Sequence, residues 1–484
     1  MHRVEIHSTS VELLPDVSRV LVRPFDPGED KRWDNIINRA LRMHEDDVAR
    51  ELETTRNDFG GRHKLINEFW EKRFRQIAQR VPDAESLSGD RQLFIGALFS
   101  HEYSLEAAAL FNPSIVADPF QSGLEPDELR IIMSLRATGE GHISSIEFRT
   151  GVIGADYSVR LDDVSGFVTT PEQSKNPTYR KASFLHKLRE LEIEDACLDP
   201  VMARLGPLFS LNDLNKAILA AEACENGDRC SADNIMRHVH WLAESNYDVQ
   251  FSDDIPISER IVFPVSTNES NGIEDARFVR FVDDDDVVTY YATYTAYNGT
   301  MILPQLMETN DFHHFRARVL HGSAVQNKGM ALFPRRIGEH YAMLSRQDDE
   351  NLFLMYSEDI HHWSAPILIR EPMYPWEYIK IGNCGSPMET PEGWLVITHG
   401  VGPMRQYCLG AILLDLDDPT RVVRALKEPL IKPEADGREG YVPNVVYTCG
   451  ALIHRDRVIL PYGKSDTLTT VVTVDLKDLL AAME

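Results

Sequence analysis

Two stretches, ETNDFHHF at 308–315 and YSEDIHHW at 356–363, align without gaps at an offset of 48 residues. That spacing falls in the range of β-propeller blades, where each repeat is one small antiparallel sheet. A second regularity runs with it. Five apolar, strand-like runs end at or continue into a polar residue: IIMSLR at Arg136, TYYATYTAY at Tyr294 and Tyr297, YAMLSR at Arg346, WLVITH at His399 and VILPY at Tyr462. From Tyr294 the steps are 52, 53 and 63 residues; Arg136 to Tyr294 is 158, roughly one repeat plus a long insertion. The pattern predicts a mainly β fold, a five-bladed β-propeller over 111–484 with a helical insertion at about 172–247. A β-sandwich is the alternative. In a propeller the innermost strand of every blade faces a central channel, so polar residues at matched positions would converge there.

The remaining texture is helical. Apolar residues at Trp33, Ile36, Ile37, Ala40, Leu41, Val48 and Leu52 keep a period near 3.6 across Lys31–Thr54. His63–Val81 and Arg91–Phe111, with its run EAAAL, read the same way, so residues 1–110 are expected to form a helical N-terminal region. An irregular segment broken by Pro24, Pro27 and Gly28 precedes them. Within the insertion, RKASFLHKLRELEIE, SLNDLNKAILAAEAC and SADNIMRHVHWLAES are amphipathic, with Ser210 and Ser231 at N-cap positions. LKDLLAAME is expected to close the chain as a short helix.

Charge bounds the partners. The net charge of −26 argues against nucleic acid or an anionic membrane surface, while leaving room for a local cationic pocket. No apolar run approaches 18 residues, and the N-terminus lacks the apolar stretch of a secretory signal. Six cysteines, Cys197, Cys224, Cys230, Cys384, Cys408 and Cys449, form no CxxC and are expected as reduced thiols of a cytoplasmic protein.

The candidate chemistry lies in the β part. GIEDARF at 272–278 opens a hairpin whose turn is Asp283–Asp286; alternation places Asp275 and Arg277 on one face and Glu274 on the other. A carboxylate beside an arginine is a candidate acid or a structural ion pair, and the residues alone favour the ion pair. Arg136, Lys328, Arg346 and His399 all fall at or near the predicted inner strands. Together they would focus an anion; singly, each is an ordinary surface charge. The pairs His313–His314 and His361–His362 and the HxH of His238 and His240 lack a further ligand at zinc spacing, so no metal site is expected. The four-Asp run lacks the calcium-loop pattern. Tyr290, Tyr291, Tyr294, Tyr297, Trp376 and Trp394 could stack on sugars, although strand aromatics are usually core. GxGxxG, Walker A and GxSxG sequences are absent.

Several long motifs, in order, resemble glycoside hydrolase family 130, the β-mannoside phosphorylases and their hydrolytic relatives. They are GIEDARF, VQNKGMALFPRRI (325–337), YAMLSR, WEYIKIGNCGSP (376–387), GWLVITHGVGPMRQYCLGAILLDLDDP (393–419), GYVPNVVYTCG (440–450) and YGKSDT (462–467). NPSIV (112–116) and SLRATGEGHISS (134–145) are similar to the start of that family's first blade. The helical regions resemble the longer members, some of which act on β-1,2-linked mannose. The resemblance implies an inverting reaction in a five-bladed propeller. A carboxylic acid protonates the glycosidic oxygen, relayed through a sugar hydroxyl, and inorganic phosphate attacks the anomeric carbon to give α-mannose 1-phosphate. It implies Asp275 as the acid. Phosphate binding falls on Lys328, Arg346 and His399, with Tyr462 and Asp466 near the same site. Mannose binding falls on Asn112, Arg136, Glu274, Arg277 and Asp466, and Tyr297 is expected among the sugar-binding residues. Shorter members carry proline where this chain has Ala276, which bears on loop stiffness rather than charge.

The implied partners are a β-linked manno-oligosaccharide and phosphate as co-substrate, with no further cofactor. An inverting hydrolase needs a second carboxylate to activate water. Phosphate is already an anion, so a phosphorylase can put cations in that carboxylate's place. Burial and Glu274 would raise the pKa of Asp275 and Arg277 would lower it; the sequence leaves the balance open. A β-mannosidase using water and a non-catalytic carbohydrate-binding propeller are the competing functions. Capping the channel or forming a homo-oligomer interface are the uses open to the helical regions.

Overall fold

The structure is a computed structural model that describes residues 4–173, 177–190, 198–222, 239–300, 302–434 and 439–484. Cys197, Cys224, Cys230, His238 and the expected Ser231 cap lie outside the described residues. No helix among them is long and apolar enough to cross a membrane. The chain divides into two compact units. One comprises Met1–Pro15, Ala108–Asp163 and Thr170–Glu484, the other Asp16–Ala107 and Val164–Thr169.

The smaller unit contains helices Asp30–Arg42, Glu45–Phe59, Ile66–Ile77 and Gly89–Leu98, and a two-stranded ribbon of Val20–Pro24 with Ser100–Ser104. Trp33, Ile37, Phe74, Ile77, Ile95 and Phe99 form its core, with the Trp33 and Phe99 rings stacked 4.4 Å apart. The helix expected over Lys31–Thr54 is broken at Met43 and His44. Buried Arg91 donates there to the carbonyls of Ala40 and Met43 and pairs with Glu45, satisfying a helix end that would otherwise need a further turn. The expected Arg91–Phe111 helix stops at Leu98. Glu106 of the EAAAL run is buried, 3.0 Å from Arg19 Nε and accepting from the Asp16 amide at 2.7 Å, and Ala109 begins a strand. Tertiary pairing overrides alanine's helix propensity here.

The larger unit is mainly β, built of five successive groups of antiparallel strands. The first holds Ala109–Ala117, Leu129–Thr138 and Ser144–Ile153; the second holds Gly272–Val282, Val288–Tyr297, Ile302–Thr309 and His314–Val319. One parallel pair, Gly272 with Ser144, joins these two into a single eleven-stranded sheet. The third sheet is Ala331–Leu332, Tyr341–Ser345, Leu352–Ser357 and Ile367–Arg370. The fourth runs Lys380–Asn383, Gly393–Val401, Tyr407–Leu414 and Val422–Ala425. The fifth runs Val446–Tyr447, Arg457–Lys464 and Leu468–Asp475, and its outer strand is Ile6–Leu13 from the other end of the chain, with Ile6 opposite Val474. The segment before residue 30, expected to be irregular, thus supplies two strands.

Each group touches the next. The Phe278 amide donates to Ser114 Oγ (3.1 Å), Thr293 Oγ1 to the Met330 carbonyl (2.5 Å), and Asn383 Nδ2 to the Gly329 carbonyl (2.9 Å). Tyr407 pairs with Val445, and the Cys449 amide returns to the Pro113 carbonyl at 2.7 Å. Apolar clusters fill the spaces between consecutive groups. Phe281, Leu306, Met343 and Trp363 lie between the second and third, and Leu344, Leu354, Trp394 and Val396 between the third and fourth. Ile131, Met133, Ile459 and Val471 join the fifth to the first. The insertion's helices Lys181–Glu190, Leu198–Ala203 and Leu211–Glu222 add Phe184, Leu188, Val201, Leu214 and Ile218 to the core of the first two groups.

The two copies of the sequence repeat occupy equivalent turns, each joining the third and fourth strands of its group. In one, Asp311 Oδ1 accepts the amides of His313 and His314; in the other, Asp359 Oδ1 accepts that of His361. The closing helix spans Leu476–Ala481 and is capped by Asp475, whose Oδ1 accepts the Asp478 amide at 2.9 Å.

Candidate active site

The first strands of the first two groups each break their ladder once. The register shifts between Phe111 and Ser114, and again between Glu274 and Arg277. Asn112 and Asp275 take the left-handed conformation there, with φ of 48° and 53°. Asn and Asp are the non-glycine residues that tolerate it best. The bulge overturns simple alternation: Glu274 and Asp275 serve one site instead of opposite faces. The matched polar positions are also shifted, since Arg136, Tyr294, His399 and Tyr462 lie on second strands and Arg346 just beyond one.

The side chains close a ring. Arg136 Nη1 is 3.3 Å from Asp275 Oδ1 and its Nη2 2.8 Å from Glu274 Oε1. Glu274 Oε2 faces Lys328 Nζ at 3.4 Å, and the Lys328 carbonyl accepts from Arg346 Nε at 3.1 Å. Arg346 Nη1 donates to His399 Nε2 (3.2 Å), and the His399 ring lies 5.0 Å from that of Tyr447. The Tyr447 hydroxyl accepts from Arg277 (2.9 Å), whose guanidinium returns to the Asp275 carbonyl (2.9 Å) and carboxylate (3.7 Å). Asn112 Nδ2 adds a 2.7 Å bond to Asp275 Oδ1. All five groups of strands contribute to this cluster.

Burial would raise the carboxyl of Asp275, but Arg136, Arg277, Lys328 and the Asn112 bond outweigh it and hold it well below the usual carboxylate range. The balance that sequence leaves open therefore falls to the cations. Asp466 behaves oppositely. Burial, with the charge of Asp275, pushes it up to about 7 against the pull of Arg136. It too is left-handed, with φ of 48°. His399 is not a cation: burial first, then Arg346 and Arg277, keep it neutral. An arginine can only donate, so Nε2 accepts and the ring proton sits on Nδ1, 3.9 Å from Cys384 Sγ.

The other expected residues divide. Tyr462 is buried with Tyr447 and Cys384, next to Gly463, whose added Cβ would stand 3.2 Å from the Asn112 amide. Tyr297 stays outside the ring, its hydroxyl donating to the Gly299 carbonyl at 2.9 Å. Tyr294 is core, its hydroxyl bonded to Glu269 and Gln305; Tyr290 and Trp394 are buried as well. Sequence reading missed Tyr447 and Asp349. Tyr447 lies inside the motif GYVPNVVYTCG, but only its contact with Arg277 marks it. Asp349 pairs with Lys380 at 2.8 Å and lies 3.6 Å from Arg346. The hairpin turn at Asp283 is also more than solvated chain, since Asp283 holds Arg336 at 2.9 Å.

The glycoside hydrolase family 130 model, described as beta-1,4-mannooligosaccharide phosphorylase, matches residues 242–484, half of the chain. The chain belongs to glycoside hydrolase family 130. It is 34% identical over 233 residues to the 1,2-beta-oligomannan phosphorylase of Thermoanaerobacter sp., covering 46% of this chain and 75% of that protein. It is 29% identical to the beta-1,2-mannobiose phosphorylase of Listeria innocua, covering 46% of this chain and 63% of that protein. A solved structure of the Listeria innocua beta-1,2-mannobiose phosphorylase with beta-1,2-mannobiose is similar at 20% identity and a TM-score of 0.46, over 78% of this chain and 92% of that one. Asn112 and Arg136 precede the segment matched to family 130, yet both bond to Asp275 within it.

Proposed function

We propose that this member of family 130 is an inverting phosphorylase of β-mannosides, acting on β-1,2-linked manno-oligosaccharides. The single observation that carries the reading is the ring in which Asp275 and the group Lys328, Arg346 and His399 close on one another. The β-1,2 linkage is supported by the names of the two relatives above. We read the five groups of strands as blades of a five-bladed propeller; the contact from each to the next and back to Pro113 supports this.

Phosphate lies against Lys328 and Arg346, with His399 and Tyr462 completing its shell, and the mannosyl ring lies on Asn112, Arg136, Glu274, Arg277 and Asp466. The step balances. A phosphate oxygen forms a bond to the anomeric carbon as the bond to the leaving oxygen breaks. That oxygen takes its proton from Asp275 through a sugar hydroxyl, and the proton carried in by hydrogen phosphate restores the acid. Without phosphate the cations keep Asp275 ionised. A bound dianion offsets Lys328 and Arg346 and raises the Asp275 pKa toward its ordinary range, so the carboxyl takes up its proton more readily once the nucleophile is in place.

Hydrolysis is the second reading, and Asp349 is the observation that bears on it. A water-using enzyme needs a free carboxylate as base. Lys380 and Arg346 hold Asp349 below its ordinary pKa, against burial, and make it a poor one. Kinetics of Arg346→Ala test the assignment. The expected result is a rise in KM for phosphate with little change in KM for the sugar; a change in the sugar KM alone would move Arg346 to a sugar subsite.

A further inference from the structure

Outside that ring, three histidines far apart in sequence meet. His186 lies on the insertion helix Lys181–Glu190, His321 follows the last strand of the second group, and His362 sits in the turn after Leu352–Ser357. One ligand nitrogen from each lies within 4.8 Å of the others. The three rings form a near-equilateral triangle, with centroids 5.5, 4.9 and 5.0 Å apart.

The backbone fixes two corners. The His321 amide donates to the His361 carbonyl (2.9 Å) and the Trp363 amide to the His321 carbonyl (2.7 Å), which sets the two imidazoles side by side. Gly322 permits this approach, because its φ is 116° and a Cβ there would run into the Trp363 main chain. His321 Nδ1 and His362 Nδ1 are 3.0 Å apart. Two nitrogens bound to one tetrahedral zinc at ~2.0 Å each are about 3.3 Å apart, so little movement separates this arrangement from a coordinated one. His321 is 6% exposed, and its Nε2 has no hydrogen-bond partner.

A carboxylate completes the set. Glu190 Oε1 is 3.0 Å from His186 Nε2 and also accepts the Gly322 amide, while Lys187 holds the other oxygen at 3.2 Å. That is where zinc sites carry either an outer carboxylate orienting a histidine or a fourth ligand. His321 also lines a cavity of about 370 Å³ with Tyr179, Lys187 and Arg318, which gives an entry path.

We propose that His186, His321 and His362, with Glu190, bind a zinc-class divalent cation that fastens the insertion helix to the turns of the second and third groups. Nitrogen donors favour zinc, cobalt, nickel or copper over magnesium or calcium. The site shares no residue with the Asp275 ring, so its role is structural and its presence is independent of the phosphorylase reading.

The test uses full-length, tag-free, chelator-treated protein with Zn²⁺ and Co²⁺ as probes. Expected are one equivalent bound per chain, the strong visible bands of tetrahedral Co²⁺, and a Zn²⁺-dependent rise in Tm. His186→Gln should weaken Zn²⁺ binding by at least about 10–100-fold and abolish the Tm response. The His186 side chain is 46% exposed, so that variant keeps its fold, and it decides the matter even if His362→Gln does not fold. No saturable binding, or equal binding by wild type and His186→Gln, would overturn the proposal.

Discussion

Asp275 is pulled two ways, and the pull of its cations is the clearest residue-scale result. Asp275→Asn keeps a side chain that tolerates φ of 53° and removes only the proton-transfer chemistry. The expected outcome is turnover lower by roughly 10²–10⁴ with folding intact, checked by kcat and circular dichroism. Asp466 makes a separate prediction about stability. Its folded pKa, about 7, is raised above that of an unfolded aspartate, so its contribution is full below about pH 4 and is lost as pH rises through 7. Asp466→Asn removes that dependence. Its stability should exceed wild type at pH 8, by up to ~4 kcal/mol, and match it at pH 4 in urea titrations. None of this balance is visible in sequence, because Asn112, Arg136, Lys328 and Asp466 approach Asp275 from distant parts of the chain.

At the scale of elements, the legible features were those that local pattern dictates. The repeat of ETNDFHHF and YSEDIHHW marks equivalent turns because the same short side chains cap the same backbone amides. Alternation failed at Glu274 and Asp275 because a bulge adds a residue to one strand only, and an Asp in a strand does not announce it. The EAAAL run misled because Glu106 answers to Arg19, not to its own helix. The histidine triangle was invisible to any ligand-spacing rule, since its corners come from a helix and two turns. Close packing of the fourth group against Arg346 and His399 gives a test. A Cβ at Gly382 would lie 2.6 Å from His399 Cε1 and 3.1 Å from Arg346 Cδ. Gly382→Ala should therefore displace both side chains and raise KM for phosphate roughly tenfold, about 1.4 kcal/mol, with the sugar KM nearly constant.

For the whole molecule, the pairing of Ile6–Leu13 with Leu468–Asp475 ties the two ends of the chain into one sheet. Nothing near residue 6 in sequence hints at a partner more than four hundred residues away. Removing residues 1–13 should cost about 3–5 kcal/mol, from one buried Val11 at ~2 and a few main-chain bonds at ~1 each. It would also leave an open strand edge, read out as a lower Tm and aggregation on heating. The arrangement matters to the site because every group of strands supplies a side chain to the Asp275 cluster. If phosphate is the nucleophile there, Asp349→Asn keeps turnover within about tenfold; a fall of 10²–10⁴ would make Asp349 a base for water. The most direct measurement is the product of β-1,2-mannobiose cleavage, followed by NMR with and without phosphate. The account predicts one α-mannose 1-phosphate per bond cleaved and no cleavage without phosphate. Free mannose released at the same rate in both samples would contradict it.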